Sequence, residues 1–296
     1  MHIPVLLEET IQGLGLERFS KGVVIDGTVN NAGHAIEILE RFPKLHLMGF
    51  DLDHGAVERA THALLRFKDR AKVYHASYER MKEFVVPGSS VVGVLFDFGL
   101  SSDQLQGSER GFTFAEDEPL DMRFDTTSGN YPVTAADAIN DWGEDTLVSI
   151  FTGFGEEKYA KRIARAIVAS REEGRINSTA TLVDIIKGAV PATYRHGRIH
   201  PATRTFQALR IAVNRELDAV TQGLKVAWDV LSPEGRIAAI SFHSLEDRIV
   251  KRYFRELADA KEGKLLTKRP IEGGEKEVEE NPRSRSAKLR IVEKTH

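Results

Sequence analysis

Residues 23–53 read VVIDGTVNNAGHAIEILERFPKLHLMGFDLD, and their patterning decides the fold. Val23-Val-Ile-Asp-Gly27 is an apolar run closed by a turn; a loop of small residues follows, and Ala35 to Phe42 repeats apolar side chains at helical spacing. A second apolar run, His46-Leu-Met-Gly-Phe-Asp-Leu-Asp53, comes next. The order is strand, helix, strand. Downstream, Gly55 to Phe67 continues as a helix and Ala71 to Ser77 as a third strand; Val91-Val-Gly-Val-Leu-Phe-Asp-Phe-Gly99 is a fourth and the most apolar. Strands alternating with helices of this length build a parallel sheet covered on both faces, the first half of a doubly wound α/β domain.

After Gly99 the alternation stops for about a hundred residues, too long for a structureless loop, so a second folded body is inserted there. It reads as helical. Between Glu156 and Glu173, Tyr159, Ile163 and Ile167 form one stripe with Lys158, Lys161, Arg162 and Arg165 around it. Thr181-Leu-Val-Asp184 has the spacing of a capping box ahead of Ile185, Ile186 and Ala189. One long helix, about Thr205 to Leu231, leads back to the sheet. There the pattern predicts a strand over 235–242, a helix from Leu245 to about Ala260, and strands near 265–271 and 288–293. The acidic stretch 272–280 between the last two reads as a solvated loop. The predicted division is a sheet domain of 1–104 and 203–296 and a helical insert of 105–202.

The 296 residues hold 41 Lys and Arg, 44 Asp and Glu and 41% hydrophobic side chains, an ordinary globular composition with enough apolar material for a core. There is no cysteine, which removes disulfides, thiolate metal sites and thiol nucleophiles together. Acids at Glu8 and Glu9 interrupt any signal-like apolar run, and no stretch approaches the ~18 apolar residues of a membrane span. A cytoplasmic protein without membrane contact is expected. The net charge is −3, yet Ala192 to Arg215 carries five arginines (195, 198, 204, 210 and 215) and no acid. Asn281 to Arg290 adds Arg283, Arg285, Lys288 and Arg290, again with no acid. Basic patches on a neutral body suit a polyanion held at one face.

In an open parallel sheet, ligands sit beyond the carboxyl ends of the strands, near the point where strand order reverses. Asp26-Gly-Thr-Val-Asn-Asn-Ala-Gly-His34 follows the first strand, and its small residues allow close backbone approach. Asp51 ends the second, where an acid can take ribose hydroxyls. Tyr78 follows the third, able to lay its ring on a purine, and Asp97 ends the fourth. Strand-end acids also serve as helix caps, and a single tyrosine also serves as packing. Four such features at consecutive strand ends favour a nucleoside site, and the incomplete G-x-G-x-x-G favours one without a pyrophosphate.

Several segments resemble one family: His2-Ile-Pro-Val-Leu-Leu-Glu-Glu, Asp26-Gly-Thr with Gly33-His34, Gly49-Phe-Asp51, Phe96-Asp-Phe-Gly-Leu-Ser-Ser-Asp-Gln-Leu105, Glu109-Arg-Gly-Phe-Thr-Phe114 and Pro119-Leu-Asp-Met-Arg123. With them go His200-Pro-Ala-Thr-Arg-Thr-Phe-Gln-Ala-Leu-Arg210, Ser241-Phe-His-Ser-Leu-Glu-Asp-Arg248 and Asn281-Pro-Arg-Ser-Arg-Ser-Ala-Lys-Leu-Arg290. From end to end the chain is similar to the ribosomal RNA small-subunit methyltransferase H family. The resemblance implies a class I (Rossmann-like) methyltransferase sheet with a helical insertion. It also implies methyl transfer from S-adenosylmethionine to N4 of a cytidine in the decoding region of 16S rRNA, within a small-subunit particle. Carried over by position, Ala32, Gly33, His34 and Gln104 would touch the methionine side of the cofactor, Asp51 its ribose, and Tyr78 and Asp97 the surroundings of its adenosine. The family usually has glycine where this chain has Asn30 and Ala32, and phenylalanine where it has Tyr78. Ala32 would then set a Cβ at a position of close approach.

The cytosine amine is a poor nucleophile because its lone pair is delocalised, so an acceptor near N4 is expected: Asp97 first, His243 second. No metal is expected, since a sulfonium leaves without a Lewis acid and no H-E-x-x-H pattern occurs. Arg204, Gln207, Arg210 and Asn214 form a polar stripe facing either RNA or the insert, and Arg204, Arg210, Arg283 and Arg285 are the candidate RNA contacts. Phe112, Phe114 and Trp142 can stack a flipped base or fill a core. A DNA or small-molecule methyltransferase and a non-catalytic RNA-binding assembly factor are the competing readings.

Overall fold

The structure is a computed structural model and describes residues 4–106 and 108–296. In chain order, α1 (Leu7–Leu14), β1 (Gly22–Asp26), α2 (Gly33–Arg41), β2 (Leu45–Asp51), α3 (His54–Leu64), β3 (Ala71–His75) and β4 (Val91–Asp97) come first. Then follow α4 (Ser102–Gln106), α5 (Ala135–Asp141), α6 (Glu144–Gly153), α7 (Ala160–Arg171), α8 (Thr179–Ala189), α9 (Ala192–Arg195) and α10 (Thr203–Asn214). The chain closes with α11 (Glu216–Val230), β5 (Leu231–Ser241), α12 (Ser244–Asp259), β6 (Gly263–Leu265), α13 (Glu275–Glu280) and β7 (Lys288–Lys294). Two compact units result, Met1–Gly99 with Leu217–His296, and Leu100–Glu216.

The first unit is built on a sheet of order β3-β2-β1-β4-β5-β7-β6. β1 to β5 run parallel, and β7 is inserted antiparallel between β5 and β6. This is the doubly wound α/β sheet expected from the alternation. Strand residues alternate between its two faces. Val24, Leu47, Leu95, Ala238, Ile240, Leu289 and Ile291 point into one core with α1, α2 and α3. Ile25, Phe50, Val94, Phe96, Ile237, Ala239 and Val292 point into the other with α11 and α12. Strand order reverses between β1 and β4, so Asp26, Asp51 and Asp97, each the last residue of its strand, stand beside that switch point.

The insert is helical, as expected, and α5 to α8 and α10 share one apolar core containing Ile139, Phe151, Ile163, Ile167, Leu182, Ile186 and Leu209. Its extent differs from the predicted 105–202, because α10 packs through Phe206, Ala208, Leu209 and Val213 into this core rather than the sheet. The predicted single helix of 205–231 is two helices. Arg215 adopts a left-handed conformation (φ 51, ψ 38) and its N–H donates to the carbonyls of Ala212 and Ile211, ending α10. Arginine at such a position, rather than glycine or asparagine, leaves no mark in the sequence. α8 begins at Thr179, capped by Ser178 accepting from the Thr181 N–H, so Thr181–Asp184 is not its cap. α7 begins at Ala160, later than the pattern suggested.

Two further expectations are corrected at the C-terminal end. The strand near 265–271 is confined to β6, with Ile271 making one isolated bridge to Leu289. Within the acidic stretch, Glu275–Glu280 forms α13, and Glu277 accepts from the Leu6 N–H at 2.7 Å. No helix among the described residues is long and apolar enough to cross a membrane.

Candidate active site

Three carboxyls gather at the switch point, each differently held. Asp26 is 2% exposed and accepts from the Thr28 N–H; burial pushes its carboxyl up to about 7, against that hydrogen bond and with the Asp51 charge adding to the rise. Asp51 accepts from the N–H groups of Asn30 (3.0 Å) and Asp53 (2.9 Å), tying the β1 loop to the end of β2. Burial lifts it to about 6. The helix cap here is Asp53, whose side chain accepts from the Gly55 and Ala56 N–H groups. Asp51 is thus spared the capping role, and each of its oxygens keeps a lone pair for a further donor.

Asp97 is held least. Its N–H donates to Thr28 Oγ1 at 2.6 Å, but its Oδ1 is buried with no hydrogen-bond partner. Burial, then the charges of Asp26 and Glu246, raise its carboxyl to about 8. A sealed acceptor without a donor is uncommon in a native fold and marks a position where a ligand group completes the bonding. His243 carries another such atom, at Nε2. It is the N-cap of α12, in a capping box with Glu246, whose carboxylate accepts from the Phe242 and His243 N–H groups. Nδ1 accepts from the Glu246 N–H, so a neutral ring carries its proton on Nε2. That nitrogen lies 3.1 Å from Glu246 Oε1, yet out of line for a hydrogen bond.

The other expected cofactor residues are placed as follows. Ala32 has φ 62 and is fully buried, its methyl packed in the core of α1 and α2 rather than set at a surface of close approach. Asn30, at φ 46, takes the left-handed conformation that asparagine tolerates. Gly33 lies under Pro4, whose Cγ would be 2.4 Å from an added Cβ. The His34 ring is buried, with Nε2 3.1 Å from the Val5 carbonyl oxygen. Side-chain contact with a ligand is therefore not what Ala32 and His34 offer. Gln104 lies in the helical unit and closes a reciprocal cap on α4: its Oε1 accepts from the Ser101 N–H, and Ser101 Oγ accepts from the Gln104 N–H.

Tyr78 is partly buried against Phe96 and Phe98, with ring centroids 5.3 and 6.1 Å away. Its ring edge lies over Gly223 of α11, a residue that the sequence reading passed over. A Cβ there would stand 2.4 Å from Cδ2 and 2.5 Å from Cε2. The available signal was a glycine inside a helix, which costs about 1 kcal/mol relative to alanine and so asks for a packing reason. Gly223→Ala is expected to displace the Tyr78 ring and lower stability by roughly 1–3 kcal/mol, measured by urea denaturation. An unchanged midpoint would place the ring elsewhere.

Of the candidate RNA contacts, Arg285 is exposed on the turn of 282–286 and Arg283 is half-buried. Arg204 is half-buried and donates to the Glu156 carbonyl. Arg210 is withdrawn from the set, because Glu216 holds it at 2.7 and 2.8 Å in a pair of which 14% and 7% is exposed. Arg290 is likewise bound by Asp247. The stripe of Arg204, Gln207, Arg210 and Asn214 faces the insert: Gln207 donates to the Phe154 carbonyl, and Asn214 holds Met122 and Phe124. Phe112 stacks on Phe124 and Phe114 on His200, while Trp142 is partly buried against the insert core.

Residues 1–295 match the family model of the MraW methylase family. The chain is 47% identical over 313 residues to the Ribosomal RNA small subunit methyltransferase H of Geobacter sp. (strain M21), covering 99% of this chain and 98% of that protein. The protein of the same name from Persephonella marina is 44% identical over 299 residues, with 99% of each chain covered. That of Synechococcus elongatus is 45% identical over 294 residues, covering 99% of this chain and 94% of that one.

Proposed function

Because the chain belongs to the MraW methylase family over residues 1–295, we propose that it transfers a methyl group from S-adenosylmethionine to 16S rRNA, at the N4 amine of a cytidine in the decoding region, on a small ribosomal subunit particle. The observation that carries the chemical part of this reading is the buried, unpartnered Asp97 Oδ1 at the end of β4, beside Asp26 at the switch point and two strands from Asp51.

The residues present fit an adenosyl cofactor. Asp51 keeps one lone pair on each oxygen after taking two backbone N–H groups, the arrangement that two neighbouring ribose hydroxyls require. Tyr78 borders the adenosine as part of the Phe96–Phe98 cluster. Gly33, at the first turn of α2, is the member of the 32–34 loop that carries no side chain. When bound, S-adenosylmethionine supplies an electrophilic methyl on a sulfonium.

The chain then has to hold the amine in line and take its proton. Asp97 does the second. Hydrogen-bonded through Oδ1, it draws lone-pair density back onto N4, and it receives the proton the amine releases as the new C–N bond forms. A carboxyl raised to about 8 is better matched to that task at neutral pH than an ordinary aspartate. His243 is the weaker candidate, since its Nδ1 is engaged at the cap and its Nε2 carries the proton. It orders the start of α12. Phosphates would be met by Arg204, Arg283 and Arg285, with the exposed Arg195 and Arg198.

Two measurements test the reading. Incubation with small-subunit particles and labelled S-adenosylmethionine is expected to place one methyl on a cytidine N4; label on DNA, on protein or nowhere overturns it. Calorimetry on Asp51→Ala is expected to show cofactor affinity at least tenfold weaker, as loss of a charge-assisted pair of hydrogen bonds implies. Unchanged affinity in a folded variant removes Asp51 from the ribose.

A further inference from the structure

A second cationic feature lies away from the switch point, where α12 meets β6 and β7. It is a shallow, solvent-open cleft of about 30 Å³ whose rim carries Lys251, Arg255 and Lys268. All three are exposed, and none has an acidic partner among the described residues. Lys251 and Arg255 stand one turn apart on α12 and therefore share a face. The floor is apolar, Phe254 at 1% exposed and Leu265 half-buried. Thr267 is fixed there because its Oγ1 accepts from the Ile291 N–H at 3.0 Å, leaving the hydroxyl proton to donate. No acid lines the cleft. Asp247, one turn before Lys251, is occupied by Arg290 at 2.7 and 3.2 Å.

For a chain of net charge −3 this is a local excess of positive charge that no internal partner explains. Three exposed ammonium and guanidinium groups around a hydroxyl donor match a phosphodiester, and the apolar floor suits a sugar or base edge lying over it. The register fixes where the cleft lies relative to Asp97. Thr267 is level with Ile291, Ile291 pairs with Ala238, and Ala238 with Leu95, two residues before Asp97. Across the sheet, β6 is three strand spacings from β4. Together these put the cleft on the order of 15 Å from the end of β4, within reach of a few nucleotides of single strand.

We propose that this cleft is a backbone-holding site for the RNA substrate, gripping a phosphate a few nucleotides from the base presented to Asp97. The proposal rests on the rRNA reading above and adds Lys251, Arg255 and Lys268 to the contact surface, beside Arg290 at the end of the 281–290 patch. Its role is positioning, so its loss raises KM for RNA and leaves the cofactor alone.

The test uses the full chain with a fluorescent single-stranded RNA oligonucleotide, titrated at several salt concentrations, and with Lys251→Ala, Lys268→Ala and the Lys251→Ala/Arg255→Ala/Lys268→Ala triple variant. Each single change is expected to lower the slope of log K against log salt by roughly 0.7, and the triple variant by about 2. On particles, the triple variant should show raised KM for RNA with kcat and cofactor affinity unchanged. RNA binding by the unaltered chain with the same slope in all variants overturns the cleft while leaving the rRNA reading intact. No oligonucleotide binding by the unaltered chain also overturns the cleft, whereas the rRNA reading falls only if no methyl is transferred to particles. Inorganic phosphate is the second probe: if it perturbs Lys251 and Lys268 signals in NMR while the RNA slopes stay unchanged, the cleft takes a small phosphate and the RNA assignment fails.

Discussion

Asp97→Asn lowers the methyl-transfer rate at saturating cofactor by about 10²- to 10⁴-fold, the range general-base catalysis contributes. Asparagine keeps the shape and one acceptor oxygen but cannot take a proton. The unaltered enzyme should gain rate as pH rises toward about 8, because Asp97 has to be ionised to accept, and its carboxyl is raised to that value by burial and by Asp26 and Glu246. In Asp97→Asn this limb disappears. Unfolding does not account for such a loss, since replacing a buried carboxyl by an amide removes an ionisation cost. If cofactor affinity falls while kcat at saturation stays, Asp97 holds the cofactor only, and the proton acceptor lies elsewhere.

Asp26→Asn stabilises the ligand-free chain by an amount that grows across one pH window and persists above it. The Asp26 carboxyl is raised to about 7, so from about pH 4 to about pH 7 the folded chain keeps a proton that the unfolded chain has released. Folded stability therefore falls as pH rises through that window. The amide has no proton to lose and retains an oxygen for the Thr28 N–H. Thermal denaturation should show equal midpoints near pH 3 and a gap opening to several degrees above pH 7, consistent with a few kcal/mol at most. Asp26 also raises Asp97, so in this variant the activity limb should move to lower pH. A midpoint gap independent of pH would mean that the Asp26 carboxyl titrates alike in the folded and unfolded chains.

Most of the sheet was legible because its signals are local. β1, β2 and β4 are short apolar runs ended by an acid, separated by helical periodicity, and a parallel sheet buried on both faces demands that composition. The insert announced itself by length alone. Errors fell where a long-range contact or an unusual backbone angle set the outcome. Arg215 ends α10 in a conformation its side chain does not advertise, and Glu277 draws α13 out of a stretch that otherwise reads as solvated charge.

The sequence by itself determined the architecture, the switch point and the set of strand-end acids, since periodicity and turn chemistry act over a few residues. Only the tertiary structure decided which of those groups are free to act. Asp53 rather than Asp51 caps α3, Ala32 turns its methyl into the core, and Arg210 is claimed by Glu216, whereas Asp97 Oδ1 is left sealed and unpartnered. A side chain's availability depends on who else reaches it, and those partners come from elements folded against it; the contact that sets Tyr78 against Gly223 joins residues far apart in the chain.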